Sequence, residues 1–287
     1  MKRIILVMLV VGFAAAAGIV RSYTRTGHRF SDLPKAISSD SNSPGNVRDE
    51  IRKSFELSPG ARVEVAGING AVRIETSDTK TAELYIERIG KSTEALQRRK
   101  ITIDASATSL TIRGEKGDAG LLSRVFGSSP TEKVTLKLPR QVSLVAAGIN
   151  GALNVAAIEG GVEVHGINGK VDIAEARGSA EFDGINGNIS AGFKQLGKDG
   201  VSLNGINGNI ELRLAEDTNV EFEAHGMNGE VTSDFANFVL EEARHGSFSA
   251  HIGSGGSSIA AHGINGNIRL QRAMSAAIKT DAAASKS

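Results

Sequence analysis

The sequence predicts an all-β protein. The expected architecture is a parallel β-helix, or solenoid, with about two nine-residue faces per coil of roughly 18 residues. A β-rich N-terminal cap and an N-terminal hydrophobic helix precede it. Three observations predict this. A Gly-(Ile/Met)-Asn-Gly tetrapeptide recurs seven times, and its last six copies start 18, 18, 21, 21 and 37 residues apart. A finer period of nine runs between the copies. Outside the repeats, apolar residues alternate with polar ones, which is the period of a strand.

The chain opens with Lys2 and Arg3, then an apolar run from Ile4 to Val20. Residues 1–20 read as a signal peptide or membrane anchor. Ala15-Ala16-Ala17 offers a small-residue cleavage site, and the uncleaved run is just long enough to span as a helix. Arg21 and Arg25 follow it. Either reading exports the remainder to the periplasm or cell surface, anchored if the leader stays. Residues 21–49 carry Ser38, Ser39, Ser41, Ser43, Pro44 and Gly45 and read as a flexible spacer.

Residues 50–145 read as the β-rich N-terminal part. Pro59-Gly60 marks a turn, and Val63, Val65, Val72 and Ile74 flank the first tetrapeptide. Leu84 and Ile86, Ile101 and Ile103, Leu110 and Ile112, and Val134 to Leu138 alternate in strand fashion. Lys91 to Lys100 reads as a loop or short helix. Residues 117–129 read as a loop holding Leu121, Leu122, Val125 and Phe126, which either tuck against the sheet or form an exposed patch.

Residues 146–272 hold the repeats. Ile149, Ile158, Ile167, Ala176 and Ile185 make one nine-residue series; Leu153, Val162, Val171, Ala180 and Ile189 make another. Val155, Val164, Ile173, Phe182 and Ala191 make a third, and Gly151, Gly160, Gly169, Gly178 and Gly187 a fourth. Two apolar residues separated by one describe a strand, and the glycine describes a corner. The seven corners are Gly67-Ile68-Asn69-Gly70, Gly148-Ile149-Asn150-Gly151, Gly166-Ile167-Asn168-Gly169, Gly184-Ile185-Asn186-Gly187, Gly205-Ile206-Asn207-Gly208, Gly226-Met227-Asn228-Gly229 and Gly263-Ile264-Asn265-Gly266. They are assigned as structural corners whose asparagines stack with mutual amide bonds. Asn-Gly between strands also fits a meander of hairpins, and 18 residues also fit three six-residue faces. The unlike corners Ile158-Glu159-Gly160 and Ala176-Arg177-Gly178, lying between the asparagine ones, favour two strands per coil. Phe193 to Gly200 and Leu214 to Val220 lengthen the corners that lack asparagine, and insertions of this kind mark a binding edge. Residues 231–262 are expected to hold an irregular coil and a regular one. Residues 273–287 read as a disordered tail.

Composition excludes several functions. Of 287 residues, 33 are basic and 32 acidic, so nucleic acid is not an expected partner. Aromatics make up 4 %, which leaves few platforms for sugar stacking. There is no cysteine, hence no disulfide and no lipidated thiol. His165, His225 and His262 each precede a corner, as do Ala66, Ala147, Asp183 and Asn204, and this row is expected to face solvent. Two imidazoles with Asp183 would bind zinc weakly, and only if the stack aligned them, because zinc sites need three or four convergent ligands. Glu159, Glu163, Asp172, Glu181 and Asp183 alternate with core residues and form no carboxylate pair suited to glycoside cleavage. The run Gly253 to Gly256 lacks the Lys-Ser/Thr of a phosphate loop. No catalytic, cofactor-binding or metal-ligating residue is assigned.

The Gly-Ile-Asn corners, Leu136-Lys137-Leu138-Pro139 and Pro59-Gly60-Ala61-Arg62-Val63-Glu64-Val65 resemble the bacterial putative-adhesin β-strand-repeat family. They are similar also to its relative named for a "head GIN" adhesin-like domain. The likeness covers roughly residues 50–275. It implies a parallel β-helix-like domain of unknown function in the cell envelope, and no catalytic residues. The leading expectation is a non-enzymatic adhesin-like or scaffold protein that contacts an envelope protein or glycan. The alternatives are a membrane-tethered docking or sensing partner of an envelope stress system, held by residues 4–20, and a secreted carbohydrate-active enzyme.

Overall fold

The computed structural model describes residues 46–116 and 129–273. The leader at 1–20, residues 21–45 of the spacer, the apolar residues Leu121, Leu122, Val125 and Phe126, and residues 274–287 lie outside them. Among the described residues the fold is all-β, with one short helix. The N-terminal part supplies β1 (Val47–Glu56), β2 (Ala61–Ala66), β3 (Val72–Ser77), β4 (Thr81–Gly90), α1 (Thr93–Gln97), β5 (Arg99–Ser106), β6 (Ser109–Lys116) and β7 (Thr131–Pro139). The repeats continue with β8 (Val142–Ala147), β9 (Leu153–Val155), β10 (Val162–His165), β11 (Val171–Asp183), β12 (Ile189–Asn204) and β13 (Ile210–Leu214). The last are β14 (Val220–His225), β15 (Val231–Ser233), β16 (Phe238–Arg244), β17 (Ser247–Ile252), β18 (Ser257–His262) and β19 (Ile268–Arg272).

Two series of pairings organise these strands. One runs β5, β6, β2, β8, β10, the second part of β11, the second part of β12, β18, β14, β17, β16. The other runs β1, β4, β7, β3, β9, the first part of β11, the first part of β12, β13, β19, β15. Because β11 and β12 pass through both series, all nineteen strands form one sheet. Pairing between repeats is parallel, and its register equals the spacing of the corners: Leu144 lies beside Val162, and Val162 beside Ala180. Antiparallel pairing is confined to the two ends, in β1–β4–β7 and β5–β6 at one and β14–β17–β16 at the other.

Burial follows from the alternation. In β10 Val162 and Val164 point inward and Glu163 and His165 outward, and β13 and β14 repeat the pattern. The inward residues of both series and the corner residues Ile68, Ile149, Ile167, Ile185, Ile206 and Ile264 join one hydrophobic cluster. Each fully buried aliphatic side chain contributes about 1.5–3 kcal/mol. Where the nine-residue series shrinks, volume returns nearby. Ala180 lies two residues from the fully buried Phe182 on the same face, and Ala176 pairs with Phe193.

Three features depart from the sequence reading. The spacer was expected to reach residue 49, but strand β1 begins at Val47, where it pairs with Gly90 of β4. Residues 231–262 hold an antiparallel hairpin, β16–β17, before β18 rather than an irregular coil. Most consequential is the order. The last unit, β18 with β19, does not lie at the end of the stack. It sits between β12–β13 and the earlier unit β14–β15. The turn from β13 to β14 skips one strand position, and the chain later returns to fill it.

Candidate functional site

The corners lie along one edge. In each tetrapeptide the first glycine has φ between 60° and 68° and the second between 149° and 159°. Side chains rarely adopt either conformation. A Cβ on Gly187 would also drive into the Gly169 carbonyl of the next strand. The asparagines form a continuous amide ladder. Asn150 Nδ2 donates to Asn69 Oδ1 (3.0 Å), Asn168 to Asn150 (3.1 Å), Asn186 to Asn168 (3.4 Å) and Asn207 to Asn186 (3.2 Å). Then Asn265 donates to Asn207 (3.0 Å) and Asn228 to Asn265 (2.9 Å). Backbone bonds run in parallel: the N–H of Asn150, Asn168, Asn186, Asn207, Asn265 and Asn228 each donates to the corner Ile carbonyl of its neighbour.

Asn69 heads the ladder and has no such neighbour among the described residues. Its N–H donates instead to Glu132 Oε2 (3.0 Å), and its Nδ2 to the Pro130 carbonyl (2.8 Å). Glu132 is fully buried and paired with Arg99 Nε at 2.6 Å, and Arg99 donates to the Gly67 carbonyl. A buried carboxylate and guanidinium thus take the place of a missing corner. A second ladder follows the tetrapeptide in three units only. Asn209 N–H donates to Asn188 Oδ1 (2.9 Å), Asn267 N–H to Asn209 Oδ1 (3.0 Å) and Glu230 N–H to Asn267 Oδ1 (2.9 Å).

The opposite edge carries the corners without asparagine, and here the stack is uneven. Lengthened segments in β12 and between β13 and β14 border an open groove of about 600 Å³. Arg177, Lys194, Gln195, Leu196, Asp217, Thr218, Asn219, Gly256 and Ser257 line it. Asn219 latches the returning chain, because its Oδ1 accepts from Ser254 N–H (2.9 Å) and Ser254 Oγ (3.2 Å). The glycine run 253–256 wraps this side chain, and a Cβ at Gly253 or Gly256 would meet Asn219. Among the described residues neither Arg177 nor Lys194 has an ion-pair partner.

No protein-family model matches the chain. No curated protein matches it either. Among solved structures, a putative cell adhesion protein from Clostridium sporogenes is 14 % identical with a TM-score of 0.39, over 79 % of this chain and 100 % of its own. A putative adhesin from Bacteroides fragilis is 10 % identical with a TM-score of 0.30, over 77 % and 97 %. A putative adhesin from Parabacteroides merdae is 13 % identical with a TM-score of 0.25, over 78 % and 96 %. At these identities and scores the chain is placed in no family.

The histidine row faces outward. Its spatial order is Ala66, Ala147, His165, Asp183, Asn204, His262, His225. His225 and His262 are direct neighbours, with rings stacked 5.7 Å apart at 19°. Among the described residues no group of three His, Cys, Asp or Glu is placed to hold a metal. Two residues along, Arg62 bridges across β8 to Glu163 with two bonds of 3.1 and 3.0 Å. This guanidinium holds the Glu163 carboxyl below its ordinary range, against a smaller opposing effect of burial. Val145, beside Glu163 on one strand and Glu64 on the other, faces outward yet is only 7 % exposed. Among the described residues no helix is long and apolar enough to cross a membrane.

Sequence reasoning located every tetrapeptide. It missed Glu132 with Arg99, the second ladder at Asn188, Asn209 and Asn267, and the latch at Asn219. One signal for the second ladder was present: only three copies read Gly-Ile-Asn-Gly-Asn, at 184, 205 and 263. These three are spatial neighbours, so the shared fifth residue encodes the order of the stack.

Proposed function

We propose that this chain is a non-enzymatic, adhesin-like module of the cell envelope. In this reading it is a two-sided parallel solenoid, exported through its leader to the periplasm or cell surface. It contacts a protein or glycan through the groove on the edge opposite the asparagine ladder. The observation that carries the proposal is the groove itself. It forms where two lengthened corners and the returning chain meet, and it presents Arg177 and Lys194, unpaired among the described residues, beside Asp217 and the amide and hydroxyl groups of Asn219, Thr218 and Ser257. A contact site assembled from insertions on an otherwise regular stack is where repeat proteins place recognition. The solenoid reading is supported by parallel registers that match the corner spacing.

The test is binding of purified protein to immobilised glycans and cell-surface extracts, with and without Arg177→Glu and Lys194→Glu. Both side chains line the groove and neither is in the core, so the variant should unfold like the parent. Its binding should weaken by on the order of tenfold. Undiminished binding by the double variant would remove the groove from the account.

A further inference from the structure

The seven corners contain seven Asn-Gly dipeptides, each preceded by Ile or Met. Asn-Gly is the dipeptide most open to internal attack by the following amide nitrogen, because glycine has no Cβ to obstruct the approach. The seven sites are nearly identical in sequence, so their environments must set them apart.

Those environments differ. The N–H groups of Gly169, Gly187, Gly208 and Gly266 donate to Asn186, Asn207, Asn265 and Asn228 carbonyls at 3.0 Å, which ties down the attacking atom after Asn168, Asn186, Asn207 and Asn265. Gly70, Gly151 and Gly229 N–H have no backbone acceptor among the described residues. Of the asparagines before them, Asn69 is held by Pro130, Asn150 and Glu132. Asn150 is held at both ends of its amide, by Asn69 and Asn168. Asn228 is exposed and ends the ladder: Nδ2 donates to Asn265, and Oδ1 accepts from no side chain among the described residues.

We propose that Asn228 is a site of spontaneous deamidation, selected by the fold from seven equivalent dipeptides. The Gly229 nitrogen bonds to Asn228 Cγ, the Cγ–Nδ2 bond breaks, and ammonia leaves carrying the proton lost by the Gly229 amide. Water then opens the resulting cyclic imide at either carbonyl and leaves aspartate or isoaspartate. The net change is one amide and one water converted to one carboxylic acid and one ammonia, with no oxidant or cofactor. The product places a carboxylate where Nδ2 donated to Asn265 Oδ1, so two acceptors face each other and the final rung opens. The inference does not depend on the groove or on its ligand.

The test is a time course of the full-length native protein in warm, mildly alkaline buffer, with each corner peptide quantified by mass spectrometry. A parallel series is run in denaturant. Asn228 should convert several-fold faster than Asn168, Asn186, Asn207 and Asn265 in the native protein, with Asn150 next, and the rates should converge in denaturant. Conversion of any of those four as fast as Asn228 in the native state would overturn the proposal. So would an Asn228 advantage of the same size in denaturant, because the sequence rather than the fold would then set the rate.

Discussion

At the scale of single residues, the strongest constraint is the Glu132–Arg99 pair over the first corner. Both groups are buried, and each satisfies corner atoms that lack a neighbouring unit. Removing one partner leaves the other as an uncompensated buried charge. Glu132→Ala is therefore expected to cost about 3–5 kcal/mol in denaturant unfolding. Asn186→Ala, in the exposed middle of the ladder, deletes two side-chain bonds and should cost about 1–2 kcal/mol. Equal costs would mean that the ladder, not the buried pair, secures the corners. The sequence held half of this. Glu132 keeps step with Val134, Leu136 and Leu138, so alternation placed it inward. Nothing local pointed to Arg99, because the pairing depends on where β5 and β7 meet in space.

At the scale of the element, strands and corners obey local rules, which is why they were legible. Val162 and Val164 alternate with charged neighbours, and the tetrapeptide fixes the bend between two such strands. The corner glycines are predicted to be irreplaceable. Gly187→Ala should cost about 1–3 kcal/mol from backbone strain alone, and more once its Cβ meets the Gly169 carbonyl. Gly161→Ala, where the added Cβ would make ordinary contact with the Ser179 carbonyl at 3.5 Å, should leave thermal unfolding nearly unchanged. The Arg62–Glu163 clasp gives a pH prediction. Its folded carboxyl titrates below the unfolded one, so it binds fewer protons at intermediate pH. Its stabilisation is present above the ordinary carboxylate range and is lost as pH falls through the lowered value. Both side chains are largely exposed, so Glu163→Gln should cost about 0.2–1 kcal/mol at neutral pH. That difference should vanish in acid. A gap that persists there would assign the cost to packing over Val145.

At the scale of the whole domain, the order of units was not legible from the spacing. Repeat lengths describe what each unit buries but not which neighbour it meets when a segment as long as 231–256 intervenes. The hairpin β16–β17 occupies one side of β14, and β18 with β19 takes the other, so the last unit joins strands that otherwise do not touch. Deleting residues 257–287 should therefore do more than shorten the stack. It should expose the amides of β15, which pairs only with β19 among the described residues, to rapid hydrogen exchange while β8 to β11 stay protected. Protection of β15 in the truncated protein would show that the turn after β13 does not skip a position. The central claim is the spatial order of the corners, with the unit of Asn265 between those of Asn207 and Asn228. The chain has no cysteine, so engineered pairs report without interference. Ser202 lies beside Ala260, and Ala260 beside Glu223. Adjacent strands are about 4.8 Å apart, within reach of a disulfide, whereas two strand spacings of about 9.6 Å are not. Oxidation of Ser202→Cys with Ala260→Cys should give rapid, near-complete cross-linking, and Ser202→Cys with Glu223→Cys should give none. The reverse result would contradict the account.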